Sequence, residues 1–179
     1  MTAVERAEQA GCDFDELVRE HQSMVFSLAY HFLRSREVAE EVAQEVFLSL
    51  HRHLADIQSP AHAGFWLRKV AAQRAIDEGR RRSRRPQVAL EAVPEPAAAA
   101  EPRDPLLGEV LRKLVATLPE APRMVMVMRY QEDLDPAEIA ELLEMPIATV
   151  KSHLQRSLAL LREKLQRRGI GAEPGSGDN

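Results

Sequence analysis

The stretch Leu134–Arg168, LDPAEIAELLEMPIATVKSHLQRSLALLREKLQRR, decides the reading of the chain. Asp135 is placed to cap a helix, Pro136 suits its first position, and Glu138 sits in the first turn, where a carboxylate favours the helix dipole. Ile139, Ala140 and Leu143 then make a short apolar stripe. A second helix is expected from Ile147, with Ile147, Val150, Leu154, Leu158, Leu161 and Leu165 at three- and four-residue steps. At about 100° per residue the other side carries Ala148, Thr149, Ser152 and Arg156, flanked by Lys151, His153 and Gln155. Two helices across a short turn, the second with a small, polar and basic outer face, is the layout of a helix-turn-helix that reads a major groove. There Gln bonds adenine, Arg bonds guanine and Lys holds phosphate. An amphipathic helix packing a bundle has the same apolar period; the short turn and basic tail favour the DNA reading.

Charge distribution extends this outward. The chain is acidic overall, with a formal net charge of −4. Yet residues 66–85 hold eight basic and two acidic side chains, and residues 147–168 hold six basic and one acidic. Two positive zones on an acidic background imply two contacts with a polyanion. Arg80, Arg81, Arg82, Arg84 and Arg85 repel one another and call for a counter-charge.

The 179 residues suffice for one or two small domains. Only 4% are aromatic and no strand-period alternation is present, so an all-α fold is expected. No run of about 18 apolar residues occurs, and the acidic N-terminus lacks a signal-peptide pattern, which implies a cytoplasmic protein. Cys12 stands alone, which excludes an internal disulfide framework and fits a reducing compartment. His51 and His53 are two apart and fall on different helix faces, so no metal site is expected. There is no glycine-rich phosphate loop and no catalytic constellation, so neither a cofactor nor a small-molecule substrate is expected.

The first 85 residues read as three helices. Phe14, Leu17, Val18, His21, Val25, Leu28, Ala29 and Phe32 follow helical spacing after a cap at Asp13. A second helix spans about 36–54, capped by Ser35, with Val38, Val42, Val46, Phe47, Leu50 and Leu54 inward and Glu37, Glu40, Glu41, Gln44 and Glu45 outward. A loop with Pro60 and Gly64 precedes a third helix over about 65–82. Its Leu67, Val70, Ala71 and Ala75 face inward, and Trp66 is read as core. Residues 83–105 carry five prolines and a short alanine run and read as an extended linker. Helices over about 106–117 and 122–131 lead into the helix-turn-helix, with Met124, Met126, Met128 and Met145 as soft core filler. The expected organisation is two small helical domains, 12–85 and 106–168, joined by a flexible linker at 86–105 and followed by a disordered tail, 169–179.

Two blocks together resemble one family. EVAQEVFLSLHRHL (41–54) followed by FWLRKVAAQRAIDEGRRRSRR (65–85) resembles the first conserved domain of bacterial RNA polymerase sigma factors of the extracytoplasmic-function group. LPEAPRMVMVMRYQEDLDPAEIAELLEMPIATVKSHLQRSLALLREKL (118–165) resembles their second. The resemblance implies promoter recognition, DNA melting and transcription initiation on core RNA polymerase. It implies that Glu41, Gln44 and Glu45 dock on the clamp helices of the polymerase. It assigns the minus-ten element to Arg68, Lys69, Gln73, Arg74, Asp77, Arg80 and Arg81, with a base-selecting loop at Gln58–Gly64. It assigns the minus-thirty-five element to the face of Ala148, Thr149, Lys151, Ser152, His153, Gln155 and Arg156, and implies an anti-sigma factor as a further partner. Arginines on phosphates and a pocket for a flipped base would favour single strand over duplex. Two departures stand out: Glu144 occupies a turn position where the family favours Gly, and Gln73 replaces a common Asn. Two other readings remain open from the residues: a helix-turn-helix regulator of the response-regulator type, supported locally by TVKSH, and a helical adaptor that never meets DNA.

Overall fold

The structure, a computed structural model, describes residues 13–84 and 105–170. Within them the chain is all helical: α1 (Phe14–Leu33), α2 (Arg36–His53), a 3-10 turn (Leu54–Asp56), α3 (Pro60–Arg84), α4 (Pro105–Ala116), α5 (Glu120–Tyr130), α6 (Pro136–Leu142) and α7 (Ile147–Arg167). The linker expected at 86–105 lies outside the described residues apart from Pro105, which opens α4 instead of closing the linker. Of the expected tail, residues 171–179 also lie outside. Gly169 and Ile170 belong to the end of α7: the Ile170 amide donates to the Leu165 carbonyl and the Gly169 amide to Gln166, with Gly169 at φ 70°. That pair of bonds is a Schellman terminus, which satisfies carbonyls the helix leaves open.

Local chemistry sets the other boundaries. The Asp13 carboxylate accepts from the Asp15 and Glu16 amides at 2.7 and 3.4 Å and starts α1. Ser35 holds the cap position of α2, but its side chain makes no capping bond, contrary to the sequence expectation. The third helix begins five residues earlier than expected. Ser59 Oγ accepts from the His62 amide at 3.1 Å and Pro60 takes the first position, so residues 60–64 are helix and not loop. In α6, Asp135 accepts from the Ala137 and Glu138 amides while the Glu138 carboxylate accepts from the Asp135 amide at 2.7 Å, a complete capping box.

α1 packs against both α2 and α3. Leu17, Val25, Leu28, Phe32, Val46, Leu50 and Leu67 are buried between them. Removing any one of the large aliphatic side chains there would cost about 2–5 kcal/mol. α3 comes close to α1 at two glycines: a Cβ at Gly64 would stand 3.3 Å from the His21 ring, and one at Gly79 would stand 3.1 Å from the Phe32 ring. The Trp66 ring is half-buried against this core, beside the His53 ring at 5.8 Å.

The two helical regions are not independent bodies. Met124, Val125 and Met128 of α5, with Leu134, Ile139, Leu142 and Val150, join the same apolar cluster as Leu28, Phe32 and Leu67. Five consecutive residues, Met124 to Met128, are buried, because α5 contacts α1, α3, α4, α6 and α7. A second, smaller cluster of Leu114, Leu118, Met126 and Leu161 ties α4 and α5 to α7. No helix among the described residues is long and apolar enough to cross a membrane, and none of their His, Cys, Asp or Glu groups is spaced to hold a metal ion.

Candidate nucleic-acid and polymerase interfaces

The capping box fixes where α6 starts, and the α6–α7 turn fixes where α7 points. The Met145 amide donates to the Ala140 carbonyl and the Glu144 amide to Glu141, a Schellman closure with Glu144 in the left-handed region at φ 52°. Val150 and Leu161 anchor the inner side of α7, while Leu154 and Leu158 are half-buried. Ala148, Lys151, Gln155 and Arg156 are exposed, and Thr149, Ser152 and His153 are half-exposed beside them. The seven residues singled out from sequence therefore share one accessible surface at the start of α7. Ile147, expected inward, is 43% exposed and lies at the edge of that surface. It is the first residue of α7.

α3 presents the second cationic surface. Gln73, Arg74, Asp77, Arg80 and Arg81 are exposed; Arg68 and Lys69 are half-buried near the second region. The expected counter-charges exist within the chain. Arg81 Nε pairs with Glu78 Oε2 at 2.7 Å, and that hydrogen bond raises the already basic guanidinium further. Arg80 Nη1 lies 3.9 Å from Asp77 and its Nε 2.7 Å from Glu120 Oε2; Arg74 Nη1 lies 3.5 Å from Glu45 Oε2. Asp77, Arg80, Arg81 and Arg84 line a shallow basin on the outer side of α3. Arg85, the last of the arginine run, lies outside the described residues. The segment expected as a base-selecting loop, Gln58–Gly64, is mostly the first turn of α3, and only its Gln58 and Ser59 remain irregular.

The outer face of α2 is a third surface. Glu41, Gln44 and Glu45 are all exposed on it. Sequence reading missed Leu48, which follows them at helical spacing and is 59% exposed, the most exposed of the large apolar side chains among the described residues. Its signal was available: a leucine on the acidic side of an amphipathic helix.

Such a chain, two helical regions of which the second ends in a helix-turn-helix, has the make-up of a sigma-70 type transcription factor. Residues 17–85 match the Sigma-70 region 2 family and residues 108–161 match Sigma-70, region 4. An ECF RNA polymerase sigma factor SigE of Mycolicibacterium smegmatis is 32% identical over 161 residues, covering 85% of this chain and 61% of that protein. The ECF RNA polymerase sigma-E factor of Escherichia coli K12 is 30% identical over 166 residues, 86% of each chain. A sigma factor RpoE from Bartonella quintana, solved in complex with the anti-sigma factor NepR, has the same fold, with a TM-score of 0.67 at 17% identity over 86% of this chain and 97% of that one. The chain belongs to the extracytoplasmic-function family of RNA polymerase sigma factors. The response-regulator and adaptor readings are set aside by these matches.

Proposed function

We propose that the chain serves core RNA polymerase as a promoter-specificity subunit in the cytoplasm, recognising two promoter elements, opening the DNA and starting transcription. One observation carries this: two cationic surfaces, on α3 and at the start of α7, stand on an acidic chain beside an exposed acidic face on α2. Ala148, Thr149, Lys151, Ser152, His153, Gln155 and Arg156 read the minus-thirty-five element in a major groove. Arg68, Lys69, Gln73, Arg74, Asp77, Arg80 and Arg81 hold and select the minus-ten strand. Glu41, Gln44 and Glu45, with Leu48, dock on the polymerase clamp. Domains 12–85 and 106–168 divide this work, and the chain between them sets the spacing of the two elements. The protein binds and positions; it contributes no bond-making chemistry of its own. An anti-sigma protein is a fitting regulator, given the relative solved with one.

Purified protein with core polymerase should initiate at defined starts on a genomic template. Glu41→Lys with Glu45→Lys should abolish co-purification with core enzyme. Core binding without promoter-dependent initiation on any genomic template would count against the reading.

A further inference from the structure

A cavity of about 290 Å³ opens where the end of α1 meets α4, α5 and α7. Leu111, Val115, Met126 and Leu158 give it apolar walls, and the exposed Tyr130 and Gln131 stand at its mouth. That is about twice the volume of an apolar cavity that takes up benzene. About ten non-hydrogen atoms fill such a space, at roughly 30 Å³ each. His31, Arg34 and Arg112 complete the lining and make it cationic. One carboxylate serves the positive charges here: Glu109 lies 3.1 Å from Arg112 Nη2, 3.7 Å from Arg34 Nη2 and 3.5 Å from Lys113 Nζ. Arg34 Nη1 is buried and has no hydrogen-bond partner among the described residues. Arg34 also closes α1 in the left-handed region, at φ 60°, where glycine would stand at less cost. The sequence thus keeps a cation at a position that penalises any side chain. Burial, then the charges of Arg34 and Arg112, hold the neighbouring His31 neutral, the mark of a place short of negative charge.

We propose that this cavity binds a small amphiphilic anion, a carboxylate with a hydrocarbon tail of about seven to nine carbons, its head on Arg34 and Arg112 and its tail along Leu111, Val115, Met126 and Leu158. The chemistry of the walls selects that class. An uncharged hydrocarbon would fill the space but leave the buried Arg34 Nη1 unsatisfied. A bare inorganic anion would satisfy the arginines and leave the apolar walls wet. A cationic amphiphile is repelled by the two guanidinium groups. A carboxylate matches the arginine fork, and its tail reaches the aliphatic walls. None of the lining residues belongs to the three surfaces assigned to DNA and polymerase, so the site is separate from them. The anion is held and not turned over. Its walls come from α1 and from α4, α5 and α7, so a bound anion bridges both helical regions and stabilises the fold by mass action.

The test is isothermal titration calorimetry of the full chain with sodium octanoate, a carboxylate of that size. Binding should saturate at one octanoate per chain. Octanol and octylammonium should bind about tenfold more weakly or worse, and acetate should not bind. Arg34→Gln and Arg112→Gln should each weaken octanoate about tenfold while leaving octanol unchanged. Val115→Phe and Leu158→Phe, which fill the cavity from two different helices, should each abolish binding. Circular dichroism melts check that the variants fold, and two fillers guard against the loss of one. Saturating octanoate should raise the melting temperature of the wild type and leave that of the filled variants unchanged. Three results would each overturn the proposal: no saturable binding, equal affinity for octanol, or octanoate binding that survives both the arginine and the filling substitutions. Initiation on core polymerase is a separate readout, so the ligand site can fail while the functional reading stands.

Discussion

The Arg123 guanidinium of α5 sits 5.2 Å from the centroid of the Phe32 ring of α1, and the same group donates twice to the Leu118 carbonyl, at 3.2 and 2.8 Å. One side chain thereby closes the α4–α5 connection and caps the core of the first region. Burial holds its guanidinium below the usual arginine range, so the charge is held at some cost. Arg123→Ala removes the cation–ring contact and strips a part-buried carbonyl of its donors, a loss of about 1–3 kcal/mol. Arg123→Lys should recover little, because an ammonium cannot fork onto one carbonyl while lying over a ring. Urea denaturation of the three proteins checks the order.

Glu144→Gly should leave the melting temperature equal or higher. Relief of a left-handed residue returns about 1 kcal/mol, and the lost Lys69 pair, largely solvent-exposed on the glutamate side, is worth between about 0 and 1 kcal/mol. A clear fall in melting temperature would mean that the turn is not strained.

His31 lies at the junction of α1, α4 and α5, and burial, then the charges of Arg34 and Arg112, push its pKa from 6.5 down to about 4. The unfolded chain therefore takes up this proton more readily than the folded one. The stability tied to neutral His31 is fully present above pH 6.5 and is lost as the pH falls toward 4. Discounted for its partial exposure, the loss is about 1–2 kcal/mol. Glu132, raised by burial, works in the opposite sense, so the difference between wild type and His31→Gln isolates the histidine. That difference should shrink steadily from pH 7 to pH 4 in guanidinium titrations. A difference independent of pH would remove His31 from the account.

On the α7 surface, Arg156→Ala should lower affinity for promoter duplex by about 1–3 kcal/mol and relax selectivity at a single base pair. Lys151→Ala should weaken binding evenly across sequences and reduce the salt dependence by about one counterion. Binding measured on a mutated-site series, with polymerase present, separates the two outcomes.

Much of this was legible in the sequence where local chemistry decides. Asp13 and Asp135 announce helix starts by side-chain bonds within three residues and Pro136 by its fixed φ, and the structure starts a helix at each place; the return bond from Glu138 that completes the box was not foreseen. Glu144 stands out through the family resemblance, which favours Gly at that turn position, and the structure gives it a left-handed conformation. The early start of α3 was missed because Ser59–Pro60 was read as a loop signal, although a hydroxyl before proline is equally a helix start. Ser35 offered the same signal and makes no capping bond, so type and position alone do not fix a cap. Period and charge show the polar faces of α2, α3 and α7 in the sequence, and the family resemblance alone gives the α2 and α3 faces their roles, while the pairing of α3 with second-region acids has no sequence signal. Lys69 and Glu144 are 75 residues apart, and nothing local links them. The missing clue lay in α5: five buried residues in succession leave a helix with no outward side, the mark of an element enclosed by more than one neighbour.

That enclosure has a consequence for how the chain can change over time. From Met124 to Met128 no position is spare, and the helix that carries them packs against five others. A volume change made to suit the helix-turn-helix is felt by α1 and α3, so drift in one half of the molecule obliges repair in the other. Flexible methionines at three of the five places supply the give that lets such repairs come one at a time.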